Sequence, residues 1–261
     1  MNYLFNECNS LKYLDISNFD TSSTMSLKYL FSGCNSLTNL NLSHLNTSLI
    51  TSKEYLFSDC SSLQYLNISN FETDKVTNMG HMFNGCSKLT SIIINFNKFN
   101  TSKVKSMEYM FSGCSSMTSI DVSMFYTSNV INMRNMFKNC DLLTSLDLSN
   151  FNTSFTENVE GMFSDDINLV YINFEKVEDT NMKIMDNMFK GTLENMVLCF
   201  HESSANKLKR IVEKKGCSEI DCSKNWIKSR KKIVAHTQKC VSICPDNSVF
   251  FYDYKCYAKC P

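Results

Sequence analysis

The chain has 261 residues, of which 43% are hydrophobic, so it can bury a sizeable core in one or two domains. The formal net charge is zero, but residues 201–240 hold 11 Lys and Arg against 4 Asp and Glu, while the remainder holds 15 against 22. We therefore expect two regions with different roles. No stretch approaches the roughly 20 apolar residues of a membrane-spanning helix, and no signal peptide is visible at residues 1–5.

A repeating unit dominates the sequence as far as residue 200. A phenylalanine recurs at intervals of 26, with one longer interval between Phe83 and Phe111, at Phe5, Phe31, Phe57, Phe83, Phe111, Phe137, Phe163 and Phe189. A cysteine follows three residues after each of the first six, and Asp166 and Thr192 replace it in the last two copies. We refer to the eight copies as coils 1 to 8. The unit reads Met-x-x-Leu/Met-Phe-x-x-Cys-x-x-Leu-x-x-Leu-Asp/Asn-Leu-Ser-x-Phe-x-Thr-Ser.

Each coil contains a short segment in which an apolar, a polar and an apolar residue alternate, as in a half-buried strand. These segments are residues 14–16, 40–42, 66–68, 120–122, 146–148 and 172–174, and a further copy is residues 198–200. Strands at a fixed spacing must be parallel, with the rest of each coil crossing back. In the crossover, the apolar residues of 107–111 predict one helical turn. Each coil needs its neighbours to complete a core, which predicts a solenoid.

The longer interval between Phe83 and Phe111 reflects a two-residue insertion at residues 95–98. Because it follows the strand, we expect it to bulge from the loop and to leave the stack intact. The cysteine column, Cys8 to Cys140, is expected to be reduced and buried, since parallel Cβ vectors do not suit disulfides. The methionine column is interpreted in the same way, as core filling rather than as a cofactor site.

Outward positions of the strands form two columns across the predicted sheet. The first contains Tyr13, Tyr65 and Tyr171, and the second contains Asp121 and Asp147. Aromatic rings beside small polar groups are typical of recognition surfaces, so we predict ligand contact at these five residues, with a plain solvated face as the alternative. Asp121 and Asp147 are expected to be neighbours, but two carboxylates fall short of the ligands that calcium requires, so no metal is predicted.

The pattern resembles the BspA-like leucine-rich repeats, in particular the Met-x-x-Met-Phe-x-x-Cys form of mycoplasma-type lipoproteins and protist surface proteins. The resemblance covers residues 1–200. It implies an α/β solenoid, a right-handed stack of about eight 26-residue coils with a parallel β-sheet on one face. A parallel β-helix remains the alternative. The family implies surface display with adhesion or ligand binding, and it does not imply catalysis. Met1 falls at a mid-repeat position, so we expect the natural protein to begin further upstream.

Three Asn-x-Ser/Thr sequons lie in loops after the strands, and we predict them as glycosylation sites: Asn46, Asn100 and Asn152. No nucleophile motif, phosphate-binding glycine loop or metalloprotease motif occurs, so neither enzyme activity nor a cofactor is expected. The basic run at residues 228–232 lacks interleaved aromatic residues and is interpreted as a solvated surface rather than a nucleic-acid site.

The repeat ends near residue 200. Residues 203–212 predict an amphipathic capping helix within a basic cap or linker at 201–239, and residues 240–261 form a cysteine-rich motif that ends in mid-motif. Six cysteines are disulfide candidates, and together with Cys199 they number seven. These six are Cys217, Cys222, Cys240, Cys244, Cys256 and Cys260. Two of their pairs, in Cys-x-x-x-Cys-Pro motifs, resemble furin-like and protist surface stalks.

The leading interpretation is a non-catalytic module at the cell surface that binds a protein or glycan ligand and was anchored through a segment beyond this chain. Dense cysteines in a segment too small for a core favour disulfides and an oxidising compartment. The alternative is an intracellular protein-interaction scaffold whose C-terminal cysteines bind zinc. The redox state of the C-terminal cysteines separates the two.

Overall fold

The computed structural model describes residues 1–193, 196–200, 205–212, 216–219, 232–234, 239–241, 250–252 and 255–257. Short parallel strands stack into a β-solenoid, as the repeat predicts. Eleven strands and one helix are described. They are β1 Asn39–Asn41, β2 Tyr65–Asn67, β3 Ser91–Ile93, β4 Ser145–Asp147, β5 Tyr171–Asn173, β6 Met196–Cys199, α1 Asn206–Val212, β7 Gly216–Glu219, β8 Lys232–Val234, β9 Lys239–Val241, β10 Phe250–Tyr252 and β11 Lys255–Tyr257.

The strands form two sheets. The first contains β1, β2 and β3, all parallel, and the second has the order β10-β11-β8-β9-β7-β6-β5-β4. From β4 to β7 the second sheet is parallel, whereas β8 pairs antiparallel with β9 and β10 pairs antiparallel with β11. We call the surface over the solenoid strands the strand side. The segment of coil 5 that should join the two sheets, residues 117–122, forms no strand and pairs with neither neighbour.

The opposite side of the solenoid, which we call the turn side, is continuous. Six isolated parallel bridges connect one residue in each of coils 2 to 8 to its counterpart in the next, in the order Ser26, Ser52, Asn78, Ser106, Asn132, Asn158 and Ile184. The insertion at residues 95–98 lies in the chain between Asn78 and Ser106, and these two residues still form their bridge. The expectation that the stack stays intact is therefore confirmed on the turn side, while the strand side is interrupted one coil later.

The prediction of a helical turn at residues 107–111 is wrong. Tyr109 has a φ of 54°, in the left-handed region, so the segment forms successive β-turns instead of a helix. Alternate amides bond locally and to the next coil: the Met110 N–H donates to the Met107 carbonyl at 3.2 Å, whereas the Tyr109 N–H donates to the Arg134 carbonyl at 2.8 Å. The backbone of every crossover thus bonds both to itself and to its neighbour.

The core lies between the two sides and consists of columns of identical side chains. The eight anchor phenylalanines stack without interruption, with ring centroids 5.4–5.9 Å apart. The threonine of the Phe-x-Thr-Ser element forms a second column: the Thr47 hydroxyl donates to the Glu72 carbonyl and accepts from the Glu72 N–H. Because buried hydroxyls need partners, this exchange allows a polar residue to lie fully inside the stack.

The predicted capping helix is present as α1. Leu208 and Val212 are buried, while Ile211 packs partly against the core. The Leu208 N–H donates to Asp179 Oδ2 at 2.8 Å, and Lys207 Nζ donates to the carbonyls of Thr180 and Met182. These bonds satisfy an amide of the first turn of the helix with a carboxylate of the solenoid, so α1 is fixed to the last coils.

Candidate binding face

The strand side places the predicted columns side by side. Asn39, Tyr65 and Ser91 are register partners in the first sheet, and Ser145 and Tyr171 are partners in the second. In β1 the burial pattern is exposed, buried, exposed, so the residues of both columns point outward as the alternation predicts. A parallel sheet supported by a stacked core holds these side chains on a rigid surface.

The three tyrosines of the first column have different environments. Tyr13 is 82% exposed and Tyr65 is 40% exposed, whereas Tyr171 is only 8% exposed. Asn173, two residues later, is also buried. The strand side is therefore closed at β5, and Tyr13 and Tyr65 are the two tyrosines of this column that present surface to a ligand.

Asp121 and Asp147 are both exposed, and each forms a local turn. The Ser123 N–H donates to Asp121 Oδ1 at 3.0 Å, and the Ser149 N–H donates to Asp147 Oδ1 at 3.0 Å. The same turn occurs in most coils, so the aspartates have a structural role of their own. Because residues 117–122 pair with neither strand, the two aspartates are not joined by strand pairing as expected.

A cleft opens where the strand side is interrupted, between β3 and residues 117–122. Its volume is about 230 Å³. Apolar side chains form most of its lining, namely Ile92, Ile94, Phe96, Phe111, Met117 and Ile120. The sequence interpretation missed this site, although the longer interval between Phe83 and Phe111 marks its place in the chain.

A second feature missed from the sequence is an aromatic column on the turn side, two residues before the anchor phenylalanines. Its rings stack at centroid distances of 4.1–4.8 Å, in the order Tyr3, Tyr29, Tyr55, His81 and Tyr109. The guanidinium of Arg134 lies over the Tyr109 ring at 5.7 Å and ends the column. Burial raises the pKa of Tyr55 to about 12 and lowers the pKa of His81. Because the rings cover one another's faces, this column stabilises the packing of neighbouring coils.

The cysteine column is free, as predicted, and all its members except Cys8 are buried. Each buried thiol donates to the carbonyl of the anchor phenylalanine in the preceding coil, as Cys60 does to Phe31 at 3.1 Å. Burial raises the pKa of Cys34 to about 11, and it also raises the pKa values of the four later cysteines well above the ordinary value of a thiol. Cys8, in coil 1, is half-buried. Cys199 in β6 is also buried.

Two charged residues occupy core columns. Lys53 replaces the methionine of coil 3, is fully buried, and its Nζ donates to the Glu72 carbonyl at 3.1 Å. Asp166 replaces the cysteine of coil 7, and its Oδ1 accepts from the Cys140 N–H at 2.7 Å. Its Oδ2 is buried and has no partner among the described residues. Burial lowers the pKa of Lys53 to about 7 and raises that of Asp166 to about 8.

The three glycosylation candidates differ in accessibility. Asn46 and Asn152 are exposed, and their Oδ1 atoms accept from the backbone of Ser48 and Ser154. Asn100 is half-buried, and its Nδ2, the atom that would carry a glycan, donates to Asp74 Oδ1 at 2.7 Å. Asn46 and Asn152 therefore present the better acceptor geometry.

The side chains of the six C-terminal disulfide candidates lie outside the described residues. So does the basic run at residues 228–231. In the part of the chain that the structure describes, no group of three or more His, Cys, Asp or Glu side chains is placed to hold a metal ion. Over the same residues, no helix has both the length and the apolar character needed to cross a membrane.

Comparison with known proteins gives one match. The profile of a family described as "Mycoplasma protein of unknown function, DUF285" matches residues 1–118 and 88–198. The two overlapping matches cover the whole solenoid and end where α1 and the C-terminal strands follow. No curated protein and no solved structure shows a significant match.

Proposed function

The chain belongs to the family of Mycoplasma proteins designated DUF285, and on this premise we propose that it is a non-catalytic binding module of a cell surface. The ligand is a protein or a glycan, and contact is centred on the strand side of coils 1 to 4. The observation that supports this proposal best is the exposure of Tyr13, Tyr65 and Ile93 on one outward face.

Three physical features of this face favour binding. Tyr13 and Tyr65 occupy the same repeat position in coils 1 and 3, and Asn39, the register partner of Tyr65, occupies it in coil 2, so two exposed rings flank an exposed amide. Aromatic residues flanking a polar group are enriched at binding hot spots. The core below is closely stacked, so binding does not have to order a loop. Tyr171 is buried and is not included in the proposed face.

Membership of the family suggests a surface repeat protein, and the strand-and-turn coil supports assignment to the BspA-like leucine-rich repeats. Exposed sequons at Asn46 and Asn152 suit an extracellular location. We propose disulfides among the C-terminal cysteines and an anchor outside this chain. Free-thiol counting by mass spectrometry tests this: reduced cysteines with bound zinc would support the intracellular scaffold instead.

The binding proposal is tested with beads that carry the full chain. The probes are immobilised fibronectin, collagen and an array of neutral and sulfated glycans. We expect the double variant Tyr13→Ala, Tyr65→Ala to lose at least 10-fold in bead retention on the probe that the wild type binds. Tyr126→Ala is the control, because Tyr126 is 57% exposed but lies off the strand columns. Equal loss in the control, or no loss in the double variant, would count against the proposal.

A further inference from the structure

We propose that the cleft between β3 and residues 117–122 binds one ring-sized apolar side chain of a protein partner, carried on an extended segment with a basic residue beside it. This inference rests on the proposed function, because it names the class of ligand and a point of contact on the strand side. Its basis is the interruption of the sheet at coil 5.

The size of the cleft sets the size of its occupant. At about 230 Å³ it is smaller than the roughly 300–1,000 Å³ of pockets for drug-sized molecules. It is larger than the ~150 Å³ apolar cavity that is known to bind benzene. Phe111 and Met117 are almost fully buried at the cleft, while Ile92 and Ile120 are half-buried and remain accessible from outside. One aromatic or branched side chain therefore fits, whereas an oligosaccharide or a nucleotide does not.

The backbone around the cleft favours a peptide over a lipid or a free hydrocarbon. Within residues 1–193, β3 pairs with β2 alone, and residues 117–122 pair with neither β3 nor β4. The edge of β3 that faces coil 5 thus has no strand partner, although it lies in the middle of the solenoid. Unpaired strand edges bond readily to an extended chain, and a peptide supplies the amide and carbonyl groups for such bonds, whereas a hydrocarbon supplies none.

The charge at the cleft favours a basic neighbour for the seated side chain. The polar part of the lining consists of Thr90, Ser91, Ser119 and Asp121, with no lysine or arginine. Asp121 is exposed and contributes a carboxylate at the rim. Residues 1–200 as a whole carry 20 Asp and Glu against 13 Lys and Arg. An approaching peptide with lysine or arginine is therefore attracted, and an acidic one is repelled.

The test uses blocked tripeptides and the full chain. Ac-Lys-Trp-Lys-NH2, Ac-Lys-Ala-Lys-NH2 and Ac-Glu-Trp-Glu-NH2 are titrated while the methyl resonances of Ile92, Ile120 and Met117 are followed by NMR. We expect the Lys-Trp-Lys peptide to bind at least 10-fold more tightly than the alanine peptide and at least 3-fold more tightly than the acidic peptide. The shifts should concentrate at these three methyl-bearing residues.

A matched pair of variants locates the binding. Ser119→Trp places an indole at the cleft, and Ser145→Trp places one at the same column position on the paired strand β4. We expect Ser119→Trp to weaken binding of the Lys-Trp-Lys peptide at least 10-fold and Ser145→Trp to leave it unchanged. Equal affinity for the tryptophan and alanine peptides, or equal effects of the two variants, would overturn the inference.

The outcomes also separate this inference from the proposed function. If the peptide does not bind but the Tyr13, Tyr65 double variant still loses bead retention, the cleft inference fails alone. If the peptide binds at the cleft but the tyrosine variant retains full adhesion, the proposed face fails and the cleft remains. Bead retention of Ser119→Trp then shows whether the cleft contributes to adhesion on its own.

Discussion

The turn side and the strand side of the solenoid are built from the same coils, yet one is continuous and the other is interrupted. On the turn side, bridges connect every coil from Ser26 to Ile184. On the strand side, hydrogen bonding stops at β3 and resumes at β4. The comparison shows that the turn side keeps the coils in register, so the strand side can lose a strand without disturbing the stack.

The reason lies in how each side is bonded. On the turn side, each crossover donates alternate amides to the next coil, and positive-φ residues such as Tyr109 hold the backbone in the shape that allows this. On the strand side each paired segment is short, as in β1, β2 and β3. An insertion of two residues after Ile94 is therefore absorbed where few backbone bonds depend on the spacing.

The largest expected effect is the difference in stability loss between a substitution in the core and one on the strand side. Phe83→Ala should lower the free energy of unfolding by about 3–5 kcal/mol, because the ring is fully buried between those of Phe57 and Phe111. Tyr65→Ala, on the open face, should cost less than about 1 kcal/mol. Urea denaturation measures both. Equal costs would show that the two surfaces of the coil have been assigned wrongly.

A smaller effect is expected at Asp166, in the cysteine column. Burial first, and the charges of Asp141 and Asp165 in addition, raise its pKa from 3.8 to about 8, while the Cys140 N–H opposes the shift. The folded state therefore binds more protons than the unfolded state between these values, so stability falls as pH rises from about 4 to 8. Urea denaturation across pH 5–9 should show a loss of about 4 kcal/mol in the free energy of unfolding.

Asp166→Cys is the matched variant, because it restores the usual residue of the column. It should remove most of the pH-dependent loss between pH 5 and 8. An unchanged pH profile in this variant would assign the loss to other groups, and the buried carboxyl would then be ionised at little cost.

Lys53 should make stability depend on pH in the direction opposite to that of Asp166, and more weakly. Burial lowers its pKa from 10.5 to about 7, with a partial opposing effect of Glu72. The unfolded state binds more protons between these values, so this residue makes stability rise as pH increases from about 7 to 10.5. Lys53→Met, the residue that coils 4, 5 and 6 have there, should stabilise the chain by about 1–2 kcal/mol at pH 7. The same substitution should also flatten the dependence of stability on pH above pH 7. A variant less stable than the wild type at pH 7 would contradict this prediction.

The smallest expected effect is a local difference in amide hydrogen exchange, which is measured on the unsubstituted chain. Amides of residues 119–121 should exchange with solvent at least 100-fold faster than those of β2 and of the turn at Tyr109, because they lack strand partners. Hydrogen exchange followed by NMR gives the rates. Protection at 119–121 equal to that in β2 would mean that the sheet is continuous in solution and that the two sides do not differ.

Much of this comparison was predictable from the repeat. Its regular period aligns Asn39, Tyr65 and Ser91, and the structure pairs these three residues. The same columns predict buried cysteines, and the apolar spacing of Leu208 and Val212 predicts α1. The pairing and the buried cysteines follow from the repeat, since identical residues at identical intervals occupy identical environments in a stack. The helix follows instead from its own apolar spacing, outside the repeat.

Other features depend on contacts that periodicity does not contain. The i, i+3, i+4 spacing around Tyr109 predicts a helix, but bonds to the next coil stabilise a left-handed residue there instead. The column position of Tyr171 predicts exposure, yet the strand side is closed near β5. The longer interval between Phe83 and Phe111 marks an insertion without showing that the unpaired strand would be that of the following coil.

The row of bridges on the turn side also has a consequence for how genes that encode such repeats can change in length. Coils 2 to 6 meet their neighbours through the same bridge, the same ring stack and the same thiol-to-carbonyl bond. Unequal recombination between copies that removes or adds one whole repeat would therefore join two coils whose contacts already match. Proteins longer or shorter by whole coils would keep their core while gaining or losing ~4.8 Å of strand side per step. Inherited differences in the length of the strand side would then require no new stabilising contacts between coils.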